Sequence, residues 1–183
     1  DVCSCDLNTF LDEWIYNDIP DYKESMMKAF RQHPVSISAC TDLQDADKEH
    51  AFAQDCLKHF RNIQQTVTVT FREPGYQLNK ADAVLEPSYI CEALGIQGRL
   101  DYMQRDMRAF IEMKSGKADE FTMPGHVLPR ENNLVQMLLY QAMLEYTMGM
   151  DHTKSKAYLL YTRYPMLYPA SPSWTMVHRI INL

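Results

Sequence analysis

The sequence predicts an α/β fold, with a central mixed β-sheet flanked by helices. Three observations carry this. The first third of the chain places apolar residues at helical spacing. The middle contains segments that alternate or are apolar on both faces. Residues 131–148 then form a long apolar helix, followed by one more strand-like segment, KAYLLYTRY (156–164).

Taken in order, Leu7, Phe10, Leu11, Trp14 and Ile15 share one helical face, so 7–17 reads as an amphipathic helix. Asp21 to Gln32 is a second helix, ended near His33-Pro34. Residues 42–63 make a longer one, with Ala53, Cys56, Leu57, Phe60 and Ile63 on its apolar stripe. TVTVTFR (66–72) alternates strictly, and the expectation is a half-buried strand. Residues 81–85 are another strand candidate. GIQGRLDYMQ (95–104) and MRAFIEMK (107–114) read as strands around the polar break Arg105-Asp106. SGKADEFTMPGHVLPRENN is rich in turn formers and reads as a loop, as does PMLYPASPS. The chain ends abruptly in WTMVHRIINL, which predicts a domain excised from a longer protein.

At 183 residues the chain suits one domain with a full core, and its 46% hydrophobic and 23% charged residues suit a soluble globular protein. No apolar run reaches membrane-spanning length, and no basic-then-apolar leader opens the chain, so no membrane association and an intracellular location are expected. Five cysteines, Cys3, Cys5, Cys40, Cys56 and Cys91, show neither a disulfide framework nor the paired spacing of a zinc site; reduced, mostly buried thiols are the expectation. The net charge of −6 argues against a large nucleic-acid surface. It leaves room for a small one, because a site that holds divalent cations needs carboxylates.

AFIEMKSGK (109–117) puts Glu112 and Lys114 into an otherwise apolar strand. A surface ion pair, a buried structural pair and half of a catalytic site all produce this pattern. The triplet alone decides nothing: with 24 acidic residues, about one acidic-x-Lys is expected by chance, and Asp21-Tyr22-Lys23 is another. Position adds more. Residues i and i+2 of a strand share a face, so Glu112 and Lys114 point together while Ile111 and Met113 point away. If 95–104 and 107–114 form a hairpin closed at Asp106-Met107, residue 105 faces 108 and Asp101 falls opposite Glu112. Two opposed carboxylates repel, and a divalent cation such as Mg²⁺ resolves the repulsion. A lysine beside the metal can orient a water and steady charge on a phosphate. Gly98 leaves room for a backbone or ligand to approach. Gln136 and Tyr140 lie four apart on one face of the apolar 131–148 helix.

GRLDYM, IEMK and QMLLY, in that order, resemble the signature of the PD-(D/E)XK nuclease superfamily, in its RecB-like branch. The branch's pattern is a helical His, G-x-x-D, (D/E)-x-K and Q-x-x-x-Y; here these are Gly98 to Asp101, Glu112 to Lys114 and Gln136 to Tyr140. LGIQGRLDYM is also similar to the nuclease domain of helicase–nucleases. The resemblance covers roughly 45–165. It implies a restriction-endonuclease-like nuclease core over 41–165 in a single nuclease domain spanning 1–183, with 1–40 as a helical N-terminal extension that has no counterpart.

The resemblance also implies roles. Asp101 and Glu112 would ligate Mg²⁺ or Mn²⁺ with the Met113 carbonyl, Lys114 would position the attacking water, and Gln136 and Tyr140 would help hold the lysine or a DNA phosphate. A histidine would be a further ligand. His50 and His59 flank the apolar stripe of the 42–63 helix on opposite sides, and the family's placement near the helix start favours His50. Glu86 is a weaker site-edge carboxylate. No cysteine follows Cys91, so no iron–sulfur cluster is expected in this fragment. The expected activity is a metal-dependent deoxyribonuclease acting on single strands or ends, as exonuclease or endonuclease, with a helicase domain as possible companion in the same chain. The alternative is an inactive module of this fold that binds DNA ends or scaffolds a DNA replication or repair complex.

Overall fold

The computed structural model describes residues 4–76, 78–120, 127–170 and 174–181. The chain divides into two compact units. One comprises residues 1–77 with the short segments 114–116 and 161–166; the other holds the remainder. Cys3 and the side chain of Cys5 lie outside what is described; Cys40, Cys56 and Cys91 are thiols, the last two buried. Among the described residues no helix is long and apolar enough to cross a membrane.

The helical unit begins with α1 (Ser4–Tyr16), α2 (Tyr22–Gln32) and the short α3 (Pro34–Ser38). Asp21 caps α2 by accepting from the Glu24 N–H at 3.0 Å. Asp45 likewise caps α4 (Ala46–Thr68), accepting from Asp47 and Lys48. Phe60 of α4 sits at the centre of the packing. Its ring meets Phe10 edge-on at 5.4 Å, Trp14 at 5.3 Å and Tyr22 at 5.4 Å.

The expected strand at 66–72 is not formed. Helix α4 runs on to Thr68, and Thr70–Arg72 is a 3-10 turn. The helix accommodates the threonines: Thr66 and Thr68 donate their hydroxyls to the carbonyls of Asn62 and Gln64, four residues back. Val67 is buried while Val69 is exposed, which is helical rather than alternating burial.

The second unit is α/β. Its elements are β1 (Ala83–Leu85), β2 (Ser88–Cys91), β3 (Ile96–Arg99), β4 (Tyr102–Gln104), β5 (Ala109–Lys114), the two-residue pair β6 (Asp119–Glu120) and β7 (Val127–Leu128), α5 (Glu131–Met148), β8 (Lys156–Tyr161), β9 (Met166–Ala170) and α6 (Trp174–Ile181). Five strands form one sheet in the order β1-β4-β5-β8-β9. The pairs β1–β4 and β4–β5 are antiparallel. Strand β8 runs parallel to β5: Lys156 N–H donates to the Arg108 carbonyl, and Thr162 N–H to the Lys114 carbonyl, with the same offset at both ends. The sheet is therefore mixed. Helix α5 occupies the range read from the sequence, and its buried Leu138 and Ala142 pack with Val177 of α6.

Two strand readings need correction. The expected single strand 95–104 is broken at Leu100-Asp101: β3 pairs with β2 in a separate two-stranded ribbon, and β4 joins the main sheet. The stretch read as loop at 165–173 contains β9. Pro169 sits within it, which the sheet tolerates because β9 is an edge strand. Within the loop read at 115–133, residues 121–126 lie outside what is described.

Two tyrosines, the half-buried Tyr22 and the buried Tyr102, tie stability to alkaline pH. The Tyr22 hydroxyl donates to the Ala53 carbonyl, and burial, with the Cys56 sulfur nearby, pushes its pKa up to about 12. Burial pushes Tyr102 up as well, against a hydrogen bond from Gln104. In the unfolded chain both ionise near pH 10. The folded state keeps protons that the unfolded state sheds, so this stability is full below about pH 10 and declines as pH rises beyond it. Urea unfolding between about pH 9 and 11 should show a midpoint that falls with pH; a flat profile would contradict it.

Candidate active site

The centre of the candidate site is the β4–β5 ladder. Tyr102 pairs with Ile111 and Met103 with Phe110. Continuing that register by one residue sets Asp101 opposite Glu112, as the hairpin arithmetic of the sequence requires. Directly opposed residues share a face of the sheet. The turn that fixes this register closes with the Met107 N–H donating to the Gln104 carbonyl, and Met107 itself takes a left-handed φ of 59°.

Asp101 lies at a bend just before β4. Its Oδ2 accepts from the Met113 N–H at 2.7 Å, so a carboxylate continues the ladder where the β4 backbone has turned away. Strand β5 is the middle strand of the sheet, and its residues from Ala109 to Met113 are all buried. Glu112 is only 6% exposed. Burying a carboxylate is costly, and folds retain such groups chiefly where they are used. Lys114, half-buried, ends β5 two residues on and falls on the Glu112 face by strand alternation.

Helix α5 supplies the third component. Gln136 Nε2–H donates to the Tyr140 hydroxyl at 3.0 Å, and that hydroxyl donates to the Arg99 carbonyl at 3.0 Å. The i,i+4 pair therefore acts as one chain of hydrogen bonds anchored on β3. Burial raises the Tyr140 pKa first, and the negative charges of Glu112 and Asp101 raise it further; the Gln136 hydrogen bond and the Arg99 charge oppose this. The phenol stays protonated at neutral pH and remains a donor. Gly98 explains how the ring gets so near the β3 backbone: a Cβ there would lie 2.6 Å from Tyr140 Cε1. The space left by the glycine is filled by a tyrosine of the same chain.

The two histidines lie in the helical unit. His50 is solvent-exposed near the start of α4. His59 is fully buried, its Nδ1 2.7 Å from the Thr162 hydroxyl and its Nε2 3.7 Å from Asp55. Burial holds its imidazolium below the usual pKa range, and Asp55 offsets part of that shift. Within that unit Asn62 donates to the Thr162 carbonyl, and Arg163 donates to the Ser115 carbonyl while facing Asp55. These polar residues of α4 fasten Thr162 and Arg163, and Arg163 in turn holds the Ser115 carbonyl, a role the sequence did not signal. Nor did it single out Arg99, although the residue stands inside the GRLD motif.

Among the described residues no three His, Cys, Asp or Glu side chains are grouped so as to ligate an ion. The donor chemistry of Asp101, Glu112 and the Met113 carbonyl nonetheless suits Mg²⁺ or Mn²⁺. Such ions take hard oxygen ligands and are commonly held by one or two carboxylates, with waters and substrate phosphates completing the shell. The Met113 N–H uses one of about four lone-pair positions on Asp101.

The Gly98–Tyr140 approach can be tested directly. Gly98→Ala should force the ring off the Arg99 carbonyl and cost about 1–3 kcal/mol in urea unfolding. Combining it with Tyr140→Ala removes the clash, so the two changes should be strongly non-additive. Additive losses would mean that the ring does not pack where described.

No family model matches the chain, and no curated protein matches it.

Proposed function

We propose that the chain is a metal-dependent deoxyribonuclease of the RecB-like PD-(D/E)XK type, built on a restriction-endonuclease-like core and serving as the nuclease domain of a helicase–nuclease or DNA repair protein. The observation that carries this proposal is the Asp101 carboxylate held on β5 at Met113, next to the buried Glu112 and near the linked Gln136 and Tyr140. An isolated Glu112–Lys114 pair of structural use has no need of a second acid held to the same strand or of a hydrogen-bonded Tyr whose phenol feels both acids.

Asp101, Glu112 and the Met113 carbonyl would hold Mg²⁺ or Mn²⁺. The ion, when bound, lowers the pKa of a water and offsets charge on the phosphate. The protein's own part is to aim and to stabilise. Lys114 presents an ammonium on the Glu112 face, suited to orient the attacking water and to steady charge building on the phosphoryl oxygens. Gln136 and Tyr140, linked to each other and through the Tyr140 hydroxyl to the Arg99 carbonyl, hold a neutral phenol beside the carboxylates. Burial of Glu112 keeps bulk water from screening these interactions.

The test is Mn²⁺-dependent digestion of single-stranded DNA with the melting temperature measured on the same samples. Lys114→Ala should lower turnover by roughly two to four orders of magnitude and leave melting nearly unchanged. Lys114→Arg should not restore it, because a planar guanidinium does not replace a compact ammonium. Asp101→Asn and Glu112→Gln should each abolish the metal dependence. Unchanged cleavage by a clean Lys114→Ala preparation refutes the assignment of the lysine. A folded wild type that binds DNA ends yet cleaves nothing with any divalent ion leaves the inactive-module alternative standing.

A further inference from the structure

Arg99 uses its backbone and its side chain for different purposes. Its carbonyl accepts the Tyr140 hydroxyl. Its side chain is 60% exposed, with Nη2 3.6 Å from Glu86 Oε1. Glu86 in turn donates its N–H to the Asp101 carbonyl at 3.1 Å. That bond continues the β1–β4 register, in which Leu85 faces Tyr102, by one residue. Glu86 and Asp101 are therefore linked one residue beyond the ends of β1 and β4, Asp101 reaches the strand of Glu112 through its carboxylate, and the Arg99 guanidinium stands at the Glu86 end of these acids. Its charge also reaches the Tyr140 hydroxyl, along with those of Glu112 and Asp101.

A group of acids repels a phosphodiester, and a chain of net charge −6 offers no general attraction to compensate. Attraction for the substrate has to come from cations placed at the site. A guanidinium takes phosphate oxygens in a bidentate fork, which makes it the better grip of the two basic side chains. The contact with Glu86 is long and solvent-exposed on both sides, so giving it up for a phosphate costs little.

We propose that Arg99 is a substrate-binding residue, gripping a phosphate of the DNA strand that lies over Asp101 and Glu112, with Glu86 as its resting counter-ion. This deepens the nuclease assignment and rests on it. The grip is on backbone phosphate and carries no base preference.

Fluorescence anisotropy of a labelled single-stranded oligonucleotide, with Ca²⁺ in place of Mg²⁺ to hold the complex without turnover, tests it. Arg99→Ala should weaken binding about tenfold, equally for unrelated sequences, and should flatten the slope of log Kd against log salt by about 0.7. In cleavage it should raise KM far more than it lowers kcat. Arg99→Lys should fall between wild type and Arg99→Ala, and it serves as the test if the alanine variant fails to fold. Glu86→Gln should tighten binding about two- to threefold by releasing the guanidinium. Wild-type affinity and salt slope in Arg99→Ala overturn the proposal; if the wild type still cleaves DNA, the nuclease assignment survives without Arg99. Weakening by Glu86→Gln as large as by Arg99→Ala would show a structural ion pair and overturn it. A wild type that neither binds nor cleaves DNA overturns both.

Discussion

Met103 faces Phe110 and Tyr102 faces Ile111, and the acidic site depends on that register. A slip of one residue between β4 and β5 would turn one strand's side chains to the opposite face. Asp101 would then no longer oppose Glu112. The register is held by local chemistry: the Gln104–Met107 turn, the apolar side chains packed on both faces of β5, and the Asp101 carboxylate bound to the Met113 N–H. The same hydrogen bond that fixes the pairing also fixes the acid.

The surroundings manage the charge this creates. Glu112 is buried in the middle strand of a mixed sheet, where a carboxylate is poorly hydrated. Burial first, and then Glu112 and Asp101, raise the Tyr140 pKa, and Gln136 steers its hydroxyl. The neutral phenol sits near the acids without adding negative charge. Gly98 makes it sterically possible, since any side chain there would push the ring away.

Much of this was legible in the sequence because it is local. The hairpin arithmetic around Asp106-Met107 needs only a turn and two alternating segments. The helix at 131–148 announces itself by length and apolarity, and the i,i+4 spacing of Gln136 and Tyr140 follows from helix geometry. What failed were the places where tertiary context overrides pattern. TVTVTFR alternates as a strand would, but its threonines bond back to helical carbonyls and the helix continues. MLYPA carries a proline and read as loop, yet an edge strand accepts it. The gap at Gly98 was expected to admit a backbone or a ligand; a tyrosine some forty residues away fills it, and no local pattern could name that partner. His59 likewise finds its hydrogen-bond partner, Thr162, far along the chain.

The hairpin also sets an order of events. Closing the short turn between β4 and β5 belongs to the microsecond regime, whereas drawing Tyr140 onto Arg99 must close a much longer loop. The hairpin that brings the Asp101 carboxylate to β5 therefore spans twelve residues, while the contact of Tyr140 with Arg99 spans forty-one, and the site joins a local contact of the fold to a distant one.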